Sequence, residues 1–141
     1  AFQPGEMQPE RDHNFRGAKL NMENDFRGRK ARGAERGGWL SFDMAVKPEE
    51  PMTLVLEYWG GFTGSKTFDI LIDGEHIATE NISGKKDGHF LDVHYDIPDA
   101  LTANKQTITV KLDPHVGHRA GPFFFARTIS KNGKSNPDNN D

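Results

Sequence analysis

The stretch that decides the fold is residues 67–82, which read TFDILIDGEHIATENI. Its apolar side chains Phe68, Ile70 and Ile72 alternate with polar ones, and a period of two is typical of a strand with one buried face. Asp73-Gly74 then separates this run from a second strand-like run, because glycine accepts the positive φ of a type I′ turn. The stretch therefore predicts a β-hairpin.

The same alternation recurs along the body of the chain. It is present in WLSFDMAV at 39–46, MTLVLEYW at 52–59, HFLDVHY at 89–95, TITVKL at 107–112 and PFFFARTI at 122–129. One further strand is expected within residues 14–30, and IPDALTANK at 97–105 suits one helical turn. No segment has a sustained period of 3.6 residues. The pattern favours an all-β fold, an antiparallel β-sandwich of the jelly-roll kind with about eight strands.

Length and composition indicate one domain with polar ends. We expect a polar lead-in over residues 1–12, the sandwich over 13–129, and a disordered tail over 130–141, which contains no apolar residue. The chain has no cysteine, which excludes disulfides and thiol catalysis, and no apolar run approaches the roughly 20 residues of a membrane span. Because it begins at Ala1, we expect the sequence to be one domain of a longer protein.

The net charge of −3 is unevenly distributed. Residues 11–36 hold eight Arg or Lys against four acidic residues, and contain Phe-Arg-Gly at 15–17 and at 26–28. A chain that is acidic overall is a poor candidate for nonspecific nucleic-acid binding. A guanidinium pairs well with a carboxylate, so this stretch suits structural docking or ligand contact, with nucleic-acid contact as a third alternative. The candidate docking or ligand residues are Arg16, Arg27 and Arg32.

Two tryptophans and one loop are the candidates for ligand binding. Trp39 and Trp59 fall out of phase with the apolar residues of their strands, and an indole outside the core can stack on a sugar ring. The alternative is that the N-terminal segment covers each tryptophan or that a strand-end bulge holds it. The loop DPHVGHRAGP could donate hydrogen bonds to a ligand, or its two histidines could bind a metal, although no third ligand is evident. The candidate carbohydrate-binding residues are Trp39, Trp59, His115, His118 and Arg119.

Catalytic motifs are missing from the sequence. It contains no glycine-rich phosphate loop, no His-Glu-x-x-His and no nucleophile elbow. A pair of carboxyl groups for glycoside hydrolysis stays open as an alternative. However, Asp43, Asp69 and Asp92 lie on the polar phase of strands, where solvated sheet faces are the simpler interpretation. We therefore predict no catalytic residue and no metal site.

Several runs resemble a known accessory domain. HNFRG, GGWLSFDMAV, TLVLEYWGG, KTFDILIDGEHIATENI, FLDVHYDIPDAL and ITVKLDPHVGHRAGPFFFARTI resemble the C-terminal accessory domain of bacterial glycoside hydrolase family 127, which includes β-L-arabinofuranosidases. The resemblance covers residues 13–129. The runs IPDAL and FFFARTI also resemble the broader galactose-binding-like sandwiches, which include many carbohydrate-binding modules.

The resemblance implies a noncatalytic accessory module of a bacterial glycoside hydrolase that is exported to the periplasm or outside the cell. The zinc-bound cysteine of the family's catalytic domain has no counterpart in this cysteine-free chain. The implied partners are a polysaccharide or oligosaccharide and the catalytic domain of the parent chain, with no nucleic acid and no membrane. The alternative is a structural module that packs on and stabilises the catalytic domain. No cofactor is expected, but a structural calcium stays open because some such sandwiches hold one.

Overall fold

The computed structural model describes residues 1–131, which form two short helices and nine strands. The helices are α1 (Met7–Asp12) and α2 (Asp99–Thr102). The strands are β1 (Arg16–Phe26), β2 (Arg29–Ala45), β3 (Met52–Trp59), β4 (Thr67–Ile72), β5 (Glu75–Asn81), β6 (Phe90–Ile97), β7 (Thr107–Pro114), β8 (Ala120–Phe123) and β9 (Phe125–Ser130). They build two antiparallel sheets, which confirms the predicted β-sandwich.

The larger sheet has the strand order β1-β2-β7-β4-β5, and β8 pairs with the first part of the long strand β2. In β2 and β7 the core-facing residues pair across the ladder: Leu40 with Leu112, Phe42 with Val110 and Met44 with Ile108. All six side chains are at most 1% exposed. Because directly paired residues point to the same side of a sheet, the alternate residues of these strands form an outer face.

The smaller sheet has the order β6-β3-β9 and closes the other side of the core. Leu54, Leu56 and Tyr58 of its central strand are fully buried, and burying one leucine contributes about 1.5–3 kcal/mol. The Tyr58 hydroxyl lies 2.8 Å from the Tyr95 hydroxyl, which donates to Glu80 Oε2 at 2.7 Å. Burial raises the pKa of both tyrosines, so this buried chain of hydroxyls stays protonated.

One residue of the expected polar lead-in, Phe2, is part of the hydrophobic core. Phe2 is fully buried, and its backbone pairs with Ala126 through hydrogen bonds of 2.8 and 3.0 Å. Its ring packs against the rings of His13, Phe15, Phe42 and Phe123, with centroids 4.8–6.0 Å apart. Phe2 is not part of an alternating apolar run, which is why the sequence pattern did not reveal this anchor.

A partly buried ion pair fastens helix α1 to the larger sheet. Arg32 donates two hydrogen bonds to Glu10, of 2.8 and 3.0 Å, and the Gly5 amide donates a third at 2.7 Å. Burial alone would raise the pKa of Glu10, but the bonds from Arg32 and Gly5 outweigh it and hold that pKa below its ordinary value. Arg32 therefore serves internal docking, which is one of the roles that we expected for this basic stretch.

The two Phe-Arg-Gly triplets occupy different kinds of position in the structure, one within a strand and one in a turn. The second forms the turn between β1 and β2, where Arg27 and Gly28 both have positive φ, 53° and 80°. The two-residue length and these angles fit a type I′ turn. In the first triplet Gly17 lies within β1, where a Cβ would stand 2.3 Å from the carbonyl oxygen of Trp39. The triplets are therefore not an internal repeat.

Two boundaries differ from the expected ones. The run at 122–129 contributes to two strands, because the chain crosses from the larger sheet to the smaller one at Phe124, whose amide donates to the Glu57 carbonyl at 2.8 Å. Residues 1–131 thus form nine strands, in agreement with the expected number of about eight. Ser130 is the last residue of β9, and the rest of the predicted disordered tail, from residue 132 onward, lies outside the described residues.

Candidate functional site

Trp39 lies on the outer side of the larger sheet and is partly exposed. It points away from the core, as its phase in β2 predicts. Its direct partner on β1 is Ala18, so only a methyl group stands beside the indole on that side. On the other side the Lys111 ammonium lies 5.1 Å from the ring centroid, within the range of a cation–π contact. The strand ladder places this ring at the surface of the larger sheet.

Polar side chains lie in register beside this indole. Arg16 pairs with Ser41, Ser41 pairs with Lys111, and Asp113 pairs with Asp69, so these residues share the outer side. Within residues 1–131, neither Arg16 nor Lys111 has a carboxylate at ion-pair distance. We call this surface the Trp39 face, and its members are Arg16, Trp39, Ser41, Asp69, Lys111 and Asp113.

Asp69 gathers several donors at the edge of the Trp39 face. Its Oδ1 accepts hydrogen bonds from the Thr79 hydroxyl at 2.6 Å and from His115 Nε2 at 2.8 Å, and His76 Nε2 lies 3.4 Å away. The Thr79 bond, followed by that of His115, lowers the pKa of Asp69. In the described part of the chain, no group of three or more His, Cys, Asp or Glu side chains has an arrangement that could hold a metal ion. The cluster is therefore a hydrogen-bonded one that fixes His115 beside the face.

The remaining loop candidates point elsewhere. His118 Nδ1 accepts a hydrogen bond from the Thr67 amide at 3.1 Å, so its ring fastens the loop to β4. Arg119 Nε lies 2.7 Å from Glu35 Oε1, and this bond, with a second one from Asn21, lowers the pKa of Glu35. Of the three candidates in this loop, only His115 reaches the Trp39 face. Sugar contact by His118 or Arg119 stays a prediction.

Trp59 is packed inside an aromatic cluster at the tip of the β1–β2 hairpin. Its side chain is 7% exposed and lies against the rings of Phe26 and Phe90, with centroids 5.7 and 5.1 Å away. The guanidinium of Arg27 covers it at 4.3 Å. The cover is therefore supplied by the β1–β2 hairpin tip and by Phe90 of β6. Little of the ring is available for stacking, and its contact with a sugar stays a prediction.

The candidate arginines go to three different places. Arg32 forms an ion pair with Glu10 of helix α1, and Arg16 belongs to the Trp39 face. Arg27 is exposed at the hairpin tip and, among residues 1–131, has no carboxylate partner. Its neighbour Arg29, by contrast, pairs with Glu57. The docking candidates therefore do not form one surface.

Sequence reasoning missed Lys111 and Asp113 as neighbours of Trp39. The polar phase of TITVKL shows that Lys111 faces away from the core, but it does not show which strand lies beside it. That neighbour is fixed only by the pairing of β2 with β7.

Comparison with solved structures identifies similar folds among carbohydrate-binding modules. A family 35 carbohydrate binding module from an environmental isolate matches with a TM-score of 0.69 and 14% identity, covering 96% of this chain and 98% of that module. A module described as Xyl-CBM35 in complex with a glucuronic acid containing disaccharide has a TM-score of 0.60 and 12% identity, covering 92% and 94%. A family 6 module from Clostridium cellulolyticum in complex with xylose has a TM-score of 0.51 and 12% identity, covering 78% and 86%. At these identities the similarity establishes the fold alone.

Three further findings complete the comparison. The described residues contain no helix that is long and apolar enough to cross a membrane. No curated protein sequence matches the chain. A family model, described as a family of unknown function and designated DUF6805, matches residues 1–129. This match covers nearly the whole sandwich, so the chain belongs to the DUF6805 family.

Proposed function

We propose that this domain is a noncatalytic module that binds an oligosaccharide or polysaccharide at the Trp39 face. The observation that carries the proposal is the partly exposed indole of Trp39 on a rigid sheet, with polar side chains in register beside it. Such a ring can stack on the apolar side of a sugar, while neighbouring polar groups bond to its hydroxyls. The similarity in fold to carbohydrate-binding modules supports the same function.

The chemistry of the face fits binding better than hydrolysis. A glycoside hydrolase needs one carboxyl group that stays protonated to act as the acid. Asp69 is unsuited to that task, because its hydrogen bonds from Thr79 and His115 lower its pKa and favour the charged form. The carboxylate instead holds His115 at the edge of the face. We therefore assign Asp69 a positioning role and no catalytic one.

The proposal also covers the longer protein of which this domain is a part and the compartment in which that protein functions. From its resemblance to the accessory domain of glycoside hydrolase family 127, we place it in an exported bacterial glycoside hydrolase of the periplasm or the extracellular space. Its second partner would then be the catalytic domain of the parent chain. Cell fractionation of a bacterium that makes the full chain tests this placement, and recovery in the cytoplasm alone would contradict it.

The binding test uses the two tryptophans as matched reporters. Xylose, a glucuronic acid containing disaccharide and arabinose-containing oligosaccharides are titrated while tryptophan fluorescence is recorded. We expect emission to change in Trp59→Phe, which keeps Trp39, and to stay constant in Trp39→Phe. Trp39→Ala should weaken binding roughly tenfold, which corresponds to about 1.4 kcal/mol. No response to any sugar at millimolar concentration, or the same response in Trp39→Phe, would refute the proposed site.

The hairpin tip, residues 26–29, favours a second function, which is packing against the parent's catalytic domain. A type I′ turn prefers Asn or Asp at its first position, yet Arg27 occupies it with a φ of 53°. Its guanidinium rests on Trp59 and has no carboxylate partner among residues 1–131. A guanidinium that is already oriented loses little entropy on pairing with a carboxylate of another domain.

Replacement of Arg27 by asparagine separates turn stability from docking. In the isolated domain Arg27→Asn should leave the melting temperature within a few degrees, because the better turn residue offsets a lost cation–π contact of about 0.5–1 kcal/mol. In the longer chain that we propose as parent, the same change should lower the melting temperature of the catalytic domain. An unchanged melting profile of that longer chain would exclude docking through the hairpin tip.

A further inference from the structure

We infer that the glycan bound by the Trp39 face carries an anionic group, and that Lys111 and Arg16 select it. This inference rests on the proposed function and names the chemistry of its ligand. The anionic group can be the carboxylate of a sugar acid or a sulfate ester, since both present oxygens that accept charge-assisted hydrogen bonds. The reasons are the position of the two cations and the lack, within residues 1–131, of a carboxylate at ion-pair distance from either of them.

The two cations stand on either side of one small residue. Arg16 and Lys111 are the direct partners of Ser41 on its two neighbouring strands. Adjacent strands lie about 4.8 Å apart, so the two side chains start roughly 10 Å apart and both can reach the space above Ser41. Ser41 is 4% exposed, as expected for a small side chain between two long ones. Lys111 also lies 5.1 Å from the Trp39 ring, so a sugar stacked on the indole would have an ammonium beside it.

Two carboxylates on the outer side of the larger sheet, those of Asp69 and Asp43, already accept hydrogen bonds. Asp69 accepts hydrogen bonds from Thr79 and His115. Asp43 accepts from the Thr109 hydroxyl at 2.7 Å and from the Asn14 amide at 3.3 Å. Within residues 1–131, no carboxylate lies at ion-pair distance from either cation.

Asp113 is the one acidic member of the face for which the described residues provide no ion pair or hydrogen bond. The face therefore holds two cations and two carboxylates, because the hydrogen bonds to Asp69 do not remove its charge. The guanidinium and the ammonium, which have no carboxylate at ion-pair distance within residues 1–131, can each form a charge-assisted hydrogen bond with an anionic ligand but only a weaker one with a neutral sugar, and this preference should be weakened by salt.

The test compares three sugars of similar size on the intact chain. Glucose, glucuronic acid and glucose 6-sulfate are titrated at low ionic strength, with binding followed by calorimetry. We expect at least one charged sugar to bind about tenfold more tightly than glucose, and the difference to shrink in molar salt. A preference for glucuronic acid identifies the carboxylate as the ligand group, and a preference for glucose 6-sulfate identifies the sulfate.

Variants distinguish the inference from the proposed function. Lys111→Gln should bring the charged sugars close to the affinity of glucose, and Asp113→Asn should increase their affinity. Lys47→Gln is the matched control, because the Lys47 ammonium pairs with Glu50 outside the Trp39 face, and it should change nothing. Equal binding of all three sugars that depends on Trp39 would overturn the inference but leave the proposed function. Binding of none of them would overturn the inference, whereas the proposed function fails only if xylose, the disaccharide and the arabinose-containing oligosaccharides also give no response.

Discussion

Replacement of Phe2 by alanine is the sharpest test of the observed packing, because it asks whether the N-terminal residues stabilise the sandwich. Phe2 is fully buried and touches four other aromatic rings. Truncation of a buried phenylalanine to alanine costs about 3–5 kcal/mol, since it removes apolar contacts and leaves a cavity. We expect a value in the upper half of this range, because aromatic pairs add about 0.5–1.5 kcal/mol beyond their buried area.

For a domain of this size, such a loss should lower the melting temperature by roughly 10–20 °C. Urea unfolding of the intact chain, followed by circular dichroism, measures the free energy directly. Phe2→Leu keeps most of the volume and should cost about 1 kcal/mol. Met7→Ala is the matched control: Met7 is 70% exposed, so its loss should stay within about 0.5 kcal/mol. A cost below about 1 kcal/mol for Phe2→Ala would show that the N-terminal residues do not pack as described.

Three further predictions concern a carboxylate, a turn and a buried hydroxyl. The hydrogen bond from Thr79, followed by that from His115, lowers the pKa of Asp69. The carboxylate should therefore stabilise the fold fully above its ordinary pKa of about 3.8, and this stabilisation should be lost as pH falls through the lowered pKa. The difference in free energy of unfolding between the wild type and Asp69→Asn should vanish in acid, and a difference that is constant with pH would contradict this. Gly74 has a φ of 85° in open space, so Gly74→Ala should cost about 1–2 kcal/mol in urea unfolding, whereas Gly88→Ala, also in open space but without positive φ, should cost little; equal costs would exclude a backbone cause. Tyr58→Phe removes the hydrogen bond to Tyr95 and should cost about 0.5–1.5 kcal/mol by the same measurement, and an unchanged free energy of unfolding would mean that this bond contributes nothing.

The fold was predictable where the signal was local. The alternation in TFDILI and the turn at Asp73-Gly74 gave the β4–β5 hairpin correctly, with positive φ of 48° and 85° at the two turn residues. The anchor Phe2 was not predictable, because the few apolar residues of its segment do not recur with the period of a strand or a helix. The division of 122–129 into β8 and β9 was equally invisible, since an apolar run does not show at which residue the chain changes sheets.

The candidate site was predictable only in part. Trp39 and Trp59 have the same phase relation to their strands, yet Trp39 is partly exposed and Trp59 is covered by Arg27. The difference arises from the β1–β2 hairpin, whose tip folds over one indole and not the other. Phase along a strand tells which side of its own sheet a residue faces, but not what another segment places on that side.

The sequence by itself determined that the chain forms strands with one buried side, that these strands make an antiparallel sandwich, and that Trp39 faces away from the core. It could do so because the alternation of side chains is a property of each extended segment of backbone. Only the tertiary structure decided that Lys111 and Arg16 flank Ser41. The same is true of the ion pair between Arg32 and Glu10 and of the burial of Phe2 in the core. These contacts depend on which distant strands pair and in which register, and the packing of the whole core selects that pairing.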